Sequence, residues 1–377
     1  MSREQERLAR VALAGVTEPG DPRMGGLVGE LGAVELYETL RAERDVRGVL
    51  SDWAGRLERA DPVRDLDRAD RLGIRFVMPG DREWPTALED LAAAPLVQER
   101  GGCPIGLWVR GPMRLDELEG SVAIVGSRSA TSYGADVAGS LAADVGRAGS
   151  VVVSGAAFGI DVAAHRGALA GGGRTVAVLA CGVDRAYPAP HRTLIDHLAT
   201  TSAVVSEAPP GWAPTRVRFL SRNRLIAGLT RGTVVVEAAL RSGALNTANW
   251  AARLNRTLMG VPGPVTSAPS QGVHQLIRSG AATLVTTGAE VLEMVGGAGE
   301  HLLEVPRGPE RPRDRLTVRQ QQVLDAVPVG GGARADSIAR IAGLGLVDVG
   351  AALAALARAG LVEHDEDGWR LAALAHT

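Results

Sequence analysis

The 377-residue chain contains no lysine; all 41 of its basic residues are arginine. Biased codon usage accounts for that absence but not for where the arginines fall. Aromatic residues make up only 3% of the chain, so any surface that holds a planar ligand has few rings with which to do it. Two cysteines, Cys103 and Cys181, exclude a disulfide framework and lack the spacing of a metal site. No apolar run approaches the roughly 18 residues a membrane span requires, and TVAVLACGV (Thr175–Val183) is among the longest. The opening residues, MSREQERLAR, are charged and carry no apolar segment of the kind that directs secretion. These absences predict a soluble cytosolic protein without membrane contact. Hydrophobic residues amount to 45%, enough to build cores for two or three domains and too many for a disordered scaffold.

The net charge of −2 conceals an uneven distribution. Residues 1–120 hold 17 arginines against 23 acids, residues 121–297 hold 15 against 9, and residues 298–377 hold 9 against 11. Within 214–260 eight arginines face a single acid, Glu237. A basic middle flanked by acidic ends points to an anionic partner for the middle.

Hydrophobic spacing separates the chain into sections. LARVALAG and LVGELGAVELYETL carry apolar residues three and four apart, and residues 1–72 are expected to form a small helical domain interrupted by the turn-rich TEPGDPRMGG. IRFVMPG (Ile74–Gly80) and GLWVRG (Gly106–Gly111) read as short strands within a 73–120 lead-in, with a turn and helix between them. From 121 to 297 short apolar runs alternate with helical patterns: SVAIVGS, VVVSG, TVAVLACG, SAVVSEA, TVVVEA and RTLMGVPG. Nearly continuous apolar strands separated by helices imply a mostly parallel sheet covered on both faces, an α/β doubly wound core that binds ligands at the carboxyl ends of its strands. Residues 298–315, including VPRGPERPRDR, read as a linker. Residues 316–377 read as three helices and a hairpin turning at Asp367-Gly368, the outline of a winged helix.

Three strand ends carry candidate chemistry. GSRSATSYG (Gly126–Gly134) is neither a dinucleotide fingerprint nor a P-loop, yet Gly126, Ser127 and Arg128 can offer backbone N–H groups, a hydroxyl and a guanidinium to one anion, if the serine is not simply a helix cap. In VSGAAFGIDVAAHRGA, Gly155 and Gly159 permit close backbone approach or positive φ. Asp161 and His165, four residues apart, form either an acid/base pair or a helix-end carboxylate beside a locally bonded histidine. In FLSRNRLIAGL, Arg222 and Arg224 flank Asn223 and are placed ahead of a helix, outside the core, where their forks suit phosphate oxygens. Ser242 and Gly243 follow the strand TVVVEA. Phe219 and Trp212 flank the arginine run and could reach a base, but most aromatics of the middle domain are expected in the core, so the grip is expected to be mainly electrostatic.

These residues resemble the DNA-processing protein A (DprA/Smf) family. The resemblance runs in order through GSR…YG, VSGAAFGIDVAAH, GVDRAYP, SEAPPG, RNRLIAGL, VVVEA, SGALNTA, VPGP and QGVHQLIRSGA. It implies a Rossmann-like core, an N-terminal SAM-like domain and a C-terminal winged helix. It further implies binding of single-stranded DNA without strong sequence preference, homodimer formation, loading of the recombinase RecA, and a place in natural transformation or recombination, with no cofactor. Carried over by motif, the DNA-contacting positions are Gly126, Ser127, Arg128, Gly155, Gly159, Arg222, Asn223, Arg224, Ser242 and Gly243. Subunit and RecA surfaces fall near 272–282. The chain departs from the family pattern at Ser221, often basic, and at His191 and His274, often Asn; the first removes a charge from the arginine run.

The acidic hairpin EHDED and a third helix with one arginine predict a tail that makes protein contacts rather than tight duplex contacts. A competing reading is a nucleotide-hydrolysing enzyme akin to phosphoribohydrolases, with Glu237 and Asp161 as its acids. The chain lacks the Pro-Gly-Gly-x-Gly-Thr loop of that group, and the expectation is a protein without catalytic residues.

Overall fold

The computed structural model describes residues 2–42, 49–303 and 311–376. The chain separates into two compact units, Met1–Leu303 and Glu304–Thr377. Part of the expected linker, 304–310, lies outside the described residues.

Among the described residues, the first unit begins with five helices, α1 (Arg3–Val16), α2 (Pro22–Leu31), α3 (Ala33–Ala42), α4 (Val49–Leu57) and α5 (Pro62–Arg71). Their starts are set by local chemistry. Ser2 and Gln5 form a capping box on α1, and Asp21 and Asp61 accept from helix N–H groups ahead of prolines at the first positions of α2 and α5. Leu13, Met24, Leu36 and Trp53 close a core shared by α1 to α4, while Ala69 of α5 packs with Ile74 and Phe76 of the strand that follows.

Among the described residues, nine strands of this unit form one sheet. They are β1 (Ile74–Val77), β2 (Leu107–Arg110), β3 (Val122–Val125), β4 (Val152–Ser154), β5 (Thr175–Val178), β6 (Ala203–Ser206), β7 (Gly232–Val235), β8 (Thr257–Gly260) and β9 (Thr283–Leu284), in the order β1-β2-β6-β5-β4-β3-β7-β8-β9. Neighbours from β6 through β9 pair parallel, while β2 runs antiparallel to both β6 and β1. The two early strands are therefore the antiparallel edge of the main sheet. The sheet winds from β3 towards β6 in one direction and from β7 towards β9 in the other, so the topological switch point lies between β3 and β7.

Alternation along β3 shows why both faces are dry. Val122 and Ile124 join Leu141 and Val145 of α6 (Ser132–Arg147) on one side. Ala123 and Val125 join Leu225 of α9 (Arg216–Gly228) and Trp250 of α10 (Ala244–Arg253) on the other. The remaining connections carry α7 (Ile160–Ala170), α8 (Arg192–Thr201), α11 (Gln271–Arg278) and α12 (Gly288–Val295).

The second unit holds α13 (Val318–Ala326), α14 (Ala335–Ala342), α15 (Leu346–Arg358) and the antiparallel pair β10 (Val362–Asp365) and β11 (Gly368–Leu371) around Val323, Ile338, Leu353 and Leu356. The hairpin turns at Glu366-Asp367, one residue earlier than the sequence suggests. Trp369 exchanges backbone hydrogen bonds with Ala333, which draws Gly368 into the strand. No single helix among the described residues is long and apolar enough to cross a membrane.

Candidate nucleic-acid interface

A cleft of about 690 Å³ opens at the carboxyl ends of β3 and β7, at the switch point. Its walls come from the loop after β3 (Gly126–Ser129), the loop after β7 (Ala239, Arg241–Gly243) and one face of α9. Gly126, Ser127, Arg128, Arg222, Asn223, Ser242 and Gly243 all line it, as does Asp161. Gly155, Gly159 and Arg224 are not among its lining residues.

The loop after β3 is freed for a ligand because other residues satisfy the helix that follows. Thr131, not Ser127, caps α6, accepting from the Gly134 N–H. The Thr131 N–H and hydroxyl both donate to the buried Glu237 carboxylate. Glu237 is thus spent on a helix N-terminus, where a carboxylate is favoured, and it does not line the cleft. The Ser127 N–H donates to the Glu237 carbonyl at 2.7 Å, and the Ser127 carbonyl accepts from the Ile160 N–H at 3.1 Å. These bonds pin the loop and leave Arg128 projecting, with its guanidinium 4.6 Å from the centre of the Phe219 ring.

Gly155 and Gly159 shape the site from beneath. A Cβ on Gly155 would fall 1.4 Å from Arg222 Nη1, and one on Gly159, where φ is +76°, would fall 2.2 Å from the Ser127 carbonyl oxygen. The close approach they permit is to the chain's own Arg222 and Ser127.

The arginine run is the main correction to the sequence reading. Arg222 and Arg224 do not precede a helix; they lie inside α9, and both are buried. Two residues along a helix is a rotation of about 200°, so their side chains leave opposite faces. Arg222 turns to the cleft. Its Nη1 donates to the Val178 carbonyl at 3.1 Å while Nε has no partner. Burial lowers its pKa, and the nearby Asp161 carboxylate opposes that shift. Arg224 turns inward, with no exposed surface, and grips both oxygens of Glu207 at 2.6 and 2.7 Å. It also donates to the carbonyls of Gly102 and Ser221. Arg224 is a structural cation, and Asn223 is a brace whose amide donates to Asn246 Oδ1 at 3.2 Å and the Gly243 carbonyl at 3.4 Å.

Ser221 is buried, and its hydroxyl donates to the Pro19 carbonyl at 2.6 Å. The charge absent from that position is therefore not absent from the cleft. His191 Nδ1 contacts the Ala156 carbonyl at 2.9 Å, and His274 Nε2 contacts the Gly263 carbonyl at 3.0 Å; neither lines the cleft.

Asp161 and His165 do not form an acid/base pair. The Asp161 carboxylate accepts from the Gly155 and Ala157 N–H groups, and burial raises its pKa against the pull of Arg222. His165 is wholly enclosed, with Nδ1 2.7 Å from the Thr175 hydroxyl and Nε2 unpartnered. Burial, with smaller contributions from His191 and Arg222, lowers its pKa to about 3.

Two cleft arginines escaped the sequence reading, Arg216 and Arg241. Both are exposed, and like Arg128 neither has a carboxylate within ion-pairing distance among the described residues. Arg216 was findable, since it lies six residues before Arg222 on what proves to be one helix. Arg218, by contrast, is consumed by Glu18 at 2.7 Å and stacks 4.2 Å from the Trp212 ring centre. The N-terminus of α10, just after Gly243, is not open to a ligand, because the Ser242 hydroxyl accepts from the Ala244 N–H at 3.3 Å and the Ser242 carbonyl from the Leu245 N–H at 3.2 Å. Four guanidinium groups and two hydroxyl-bearing loops therefore converge on a single concavity.

Residues 75–296 match the family model described as DNA recombination-mediator protein A. A putative DNA processing protein DprA from Mycobacterium tuberculosis is 43% identical over 362 residues, covering 95% of this chain and 92% of the relative. The DNA processing protein DprA of Streptococcus pneumoniae is 41% identical over 189 residues, covering 50% of this chain and 66% of the relative. The solved structure of DNA processing protein A from that organism superposes with a TM-score of 0.63 at 30% identity, covering 78% of this chain and 98% of that one. A structure of DNA processing protein A from Helicobacter pylori, reported for its single-stranded DNA binding mode, superposes with a TM-score of 0.51 at 25% identity, covering 58% and 94%. With the switch-point cleft, the parallel core and the ordered motifs all in agreement, this chain belongs to the DNA recombination-mediator protein A (DprA/Smf) family.

Proposed function

We propose that this chain binds single-stranded DNA in the switch-point cleft and acts as a recombination mediator. The observation that carries this reading is the convergence of Arg128, Arg216, Arg222 and Arg241 on one cleft whose only carboxylate, among the described residues, is the buried Asp161. The backbone phosphates would lie against Arg128, Arg216 and Arg241, with Arg222 beneath them. The Ser127 and Ser242 hydroxyls, on loops that line the same cleft, would complete the cradle. Gly155 and Gly159 act by making room, Asn223 by bracing the Ser242–Gly243 loop, and Arg224 by holding α9 in place. The buried Glu237 and the outward-facing arginines favour binding over hydrolysis, and the family relationship supports the same reading.

Recombinase loading and a homodimer follow as the finer parts of this proposal. The segment 272–282, carried largely on α11 and leading into the edge strand β9, would offer the subunit surface. We read residues 1–72 as the SAM-like part and 316–377 as a winged helix that makes protein contacts. The test is fluorescence anisotropy of a labelled single strand and its duplex across a range of salt concentrations. Preferential single-strand binding is expected, with affinity falling as salt rises by about 0.7 in log–log slope for each phosphate neutralised. Equal weak binding to both forms would overturn the assignment.

A further inference from the structure

The chain has six tryptophans, three tyrosines and three phenylalanines; five of these rings are buried and four half-buried. The exceptions are not scattered. Tyr133, Phe158 and Tyr187 are 42%, 47% and 43% exposed, and they follow β3, β4 and β5 in turn, all at the end of the sheet where the cleft opens. Tyr133 is tied towards β8, its hydroxyl donating to the Pro262 carbonyl at 2.6 Å. The other two border the cleft. The Tyr187 ring lies 5.7 Å from Phe219, a cleft wall that carries Arg128 on its ring. Phe158 follows Ala157 of the cleft lining and packs edge-on against His191 at 4.7 Å. A single exposed ring needs no explanation. Two held in place by aromatic neighbours, beside an arginine-lined cleft in a chain so poor in rings, do.

We propose that Tyr187 and Phe158 form a base-stacking track that extends from Phe219 beyond the cleft. Bases flanking the cleft-bound phosphates would stack on these rings. The inference rests on the single-strand reading above and deepens it. Phosphate contacts are shared by duplex and single strand, whereas base faces are open only when the strand is unpaired. The track therefore supplies preference for single strands, and because stacking is tolerant of base identity it does so without sequence choice. It also supplies the part of the affinity that salt does not weaken.

The test uses the full chain and a labelled oligo-dT, with Phe158→Leu and Tyr187→Leu to keep apolar bulk and Tyr187→Trp to keep the ring. Each leucine variant is expected to weaken binding roughly 5- to 150-fold, the span seen when one stacked base is lost. The salt slope should stay unchanged, and Tyr187→Trp should bind like the parent. On a wholly abasic strand of the same length, parent and leucine variants should bind alike. Leucine variants that bind oligo-dT as the parent does overturn the track while leaving the cleft reading intact. So does a loss of affinity that persists on the abasic strand, which would make these rings structural or part of a protein contact. Failure of the parent to bind any strand would instead overturn the cleft reading, and the track with it. Unchanged thermal midpoints for the variants confirm that the comparison is between folded proteins.

Discussion

Replacing Arg224 with alanine separates the two arginines that the sequence presents as a pair. In the folded chain Arg224 has no exposed surface, and its two terminal nitrogens hold the carboxylate of Glu207, itself only 9% exposed. Alanine would strand that carboxylate in a dry setting, and removing one partner of a buried ion pair costs about 3–5 kcal/mol. The Gly102 and Ser221 carbonyls would lose charged donors as well, so the upper part of that range, about 4–5 kcal/mol, is expected. This is roughly three powers of ten in the folding equilibrium, a large share of the 5–15 kcal/mol typical of a folded domain. Urea unfolding of the Arg224→Ala protein should show it directly. A double variant, Arg224→Met with Glu207→Leu, should recover most of the loss, because apolar groups of similar size often replace a buried pair without cost. A loss below about 1 kcal/mol in Arg224→Ala, or full stability with impaired single-strand binding, would refute the assignment of Arg224 as a structural cation.

The remaining predictions concern the cleft and its supports. Arg128→Ala and Arg241→Ala should leave stability within about 0.5 kcal/mol, and each should reduce the log–log salt slope of strand binding by about 0.7; an unchanged slope would place these side chains off the DNA path. Gly155→Ala puts a methyl where Arg222 Nη1 lies. It should weaken strand binding roughly 10- to 150-fold, as losing one charge-assisted contact does, and should not add to Arg222→Ala if both remove the same group. His165, held neutral with its pKa near 3, contributes stability that is fully present above about pH 6.5 and is lost as pH falls from there towards 3. The contribution declines by up to ~1.4 kcal/mol per pH unit, and His165→Gln should remove that part of the slope in unfolding titrations between pH 7 and 4. Glu237→Gln should cost about 1–2 kcal/mol through the weakened helix cap and leave strand binding intact; release of free base from a nucleotide by the parent, abolished in the variant, would revive the enzyme reading.

Much of this arrangement was legible along the chain. Apolar runs such as TVVVEA and SVAIVGS could only be strands buried on both faces, and their alternation with helical patterns dictated a parallel, doubly wound sheet. Gly126, Ser127, Arg128, Ser242 and Gly243 could be placed at one edge of the sheet, where they line the cleft, because loops at strand ends are written locally, in glycines, hydroxyls and charge. The family motifs, read in order, carried the function further than composition could.

The tertiary structure decided which arginines are available. RNR looks like two equivalent forks, yet a helical turn sends Arg222 to the cleft and Arg224 to a glutamate 17 residues earlier in the chain. Arg218 is spent on Glu18, 200 residues away in sequence, while Arg216 and Arg241 are left free to face a ligand. Glu237 likewise reads as a candidate acid until Thr131 takes it for a helix cap. In each case the residue type was written in the sequence, but its role depended on a partner brought near by folding. A charge that meets its counter-ion inside the protein builds the fold, and one that meets none is left for the ligand.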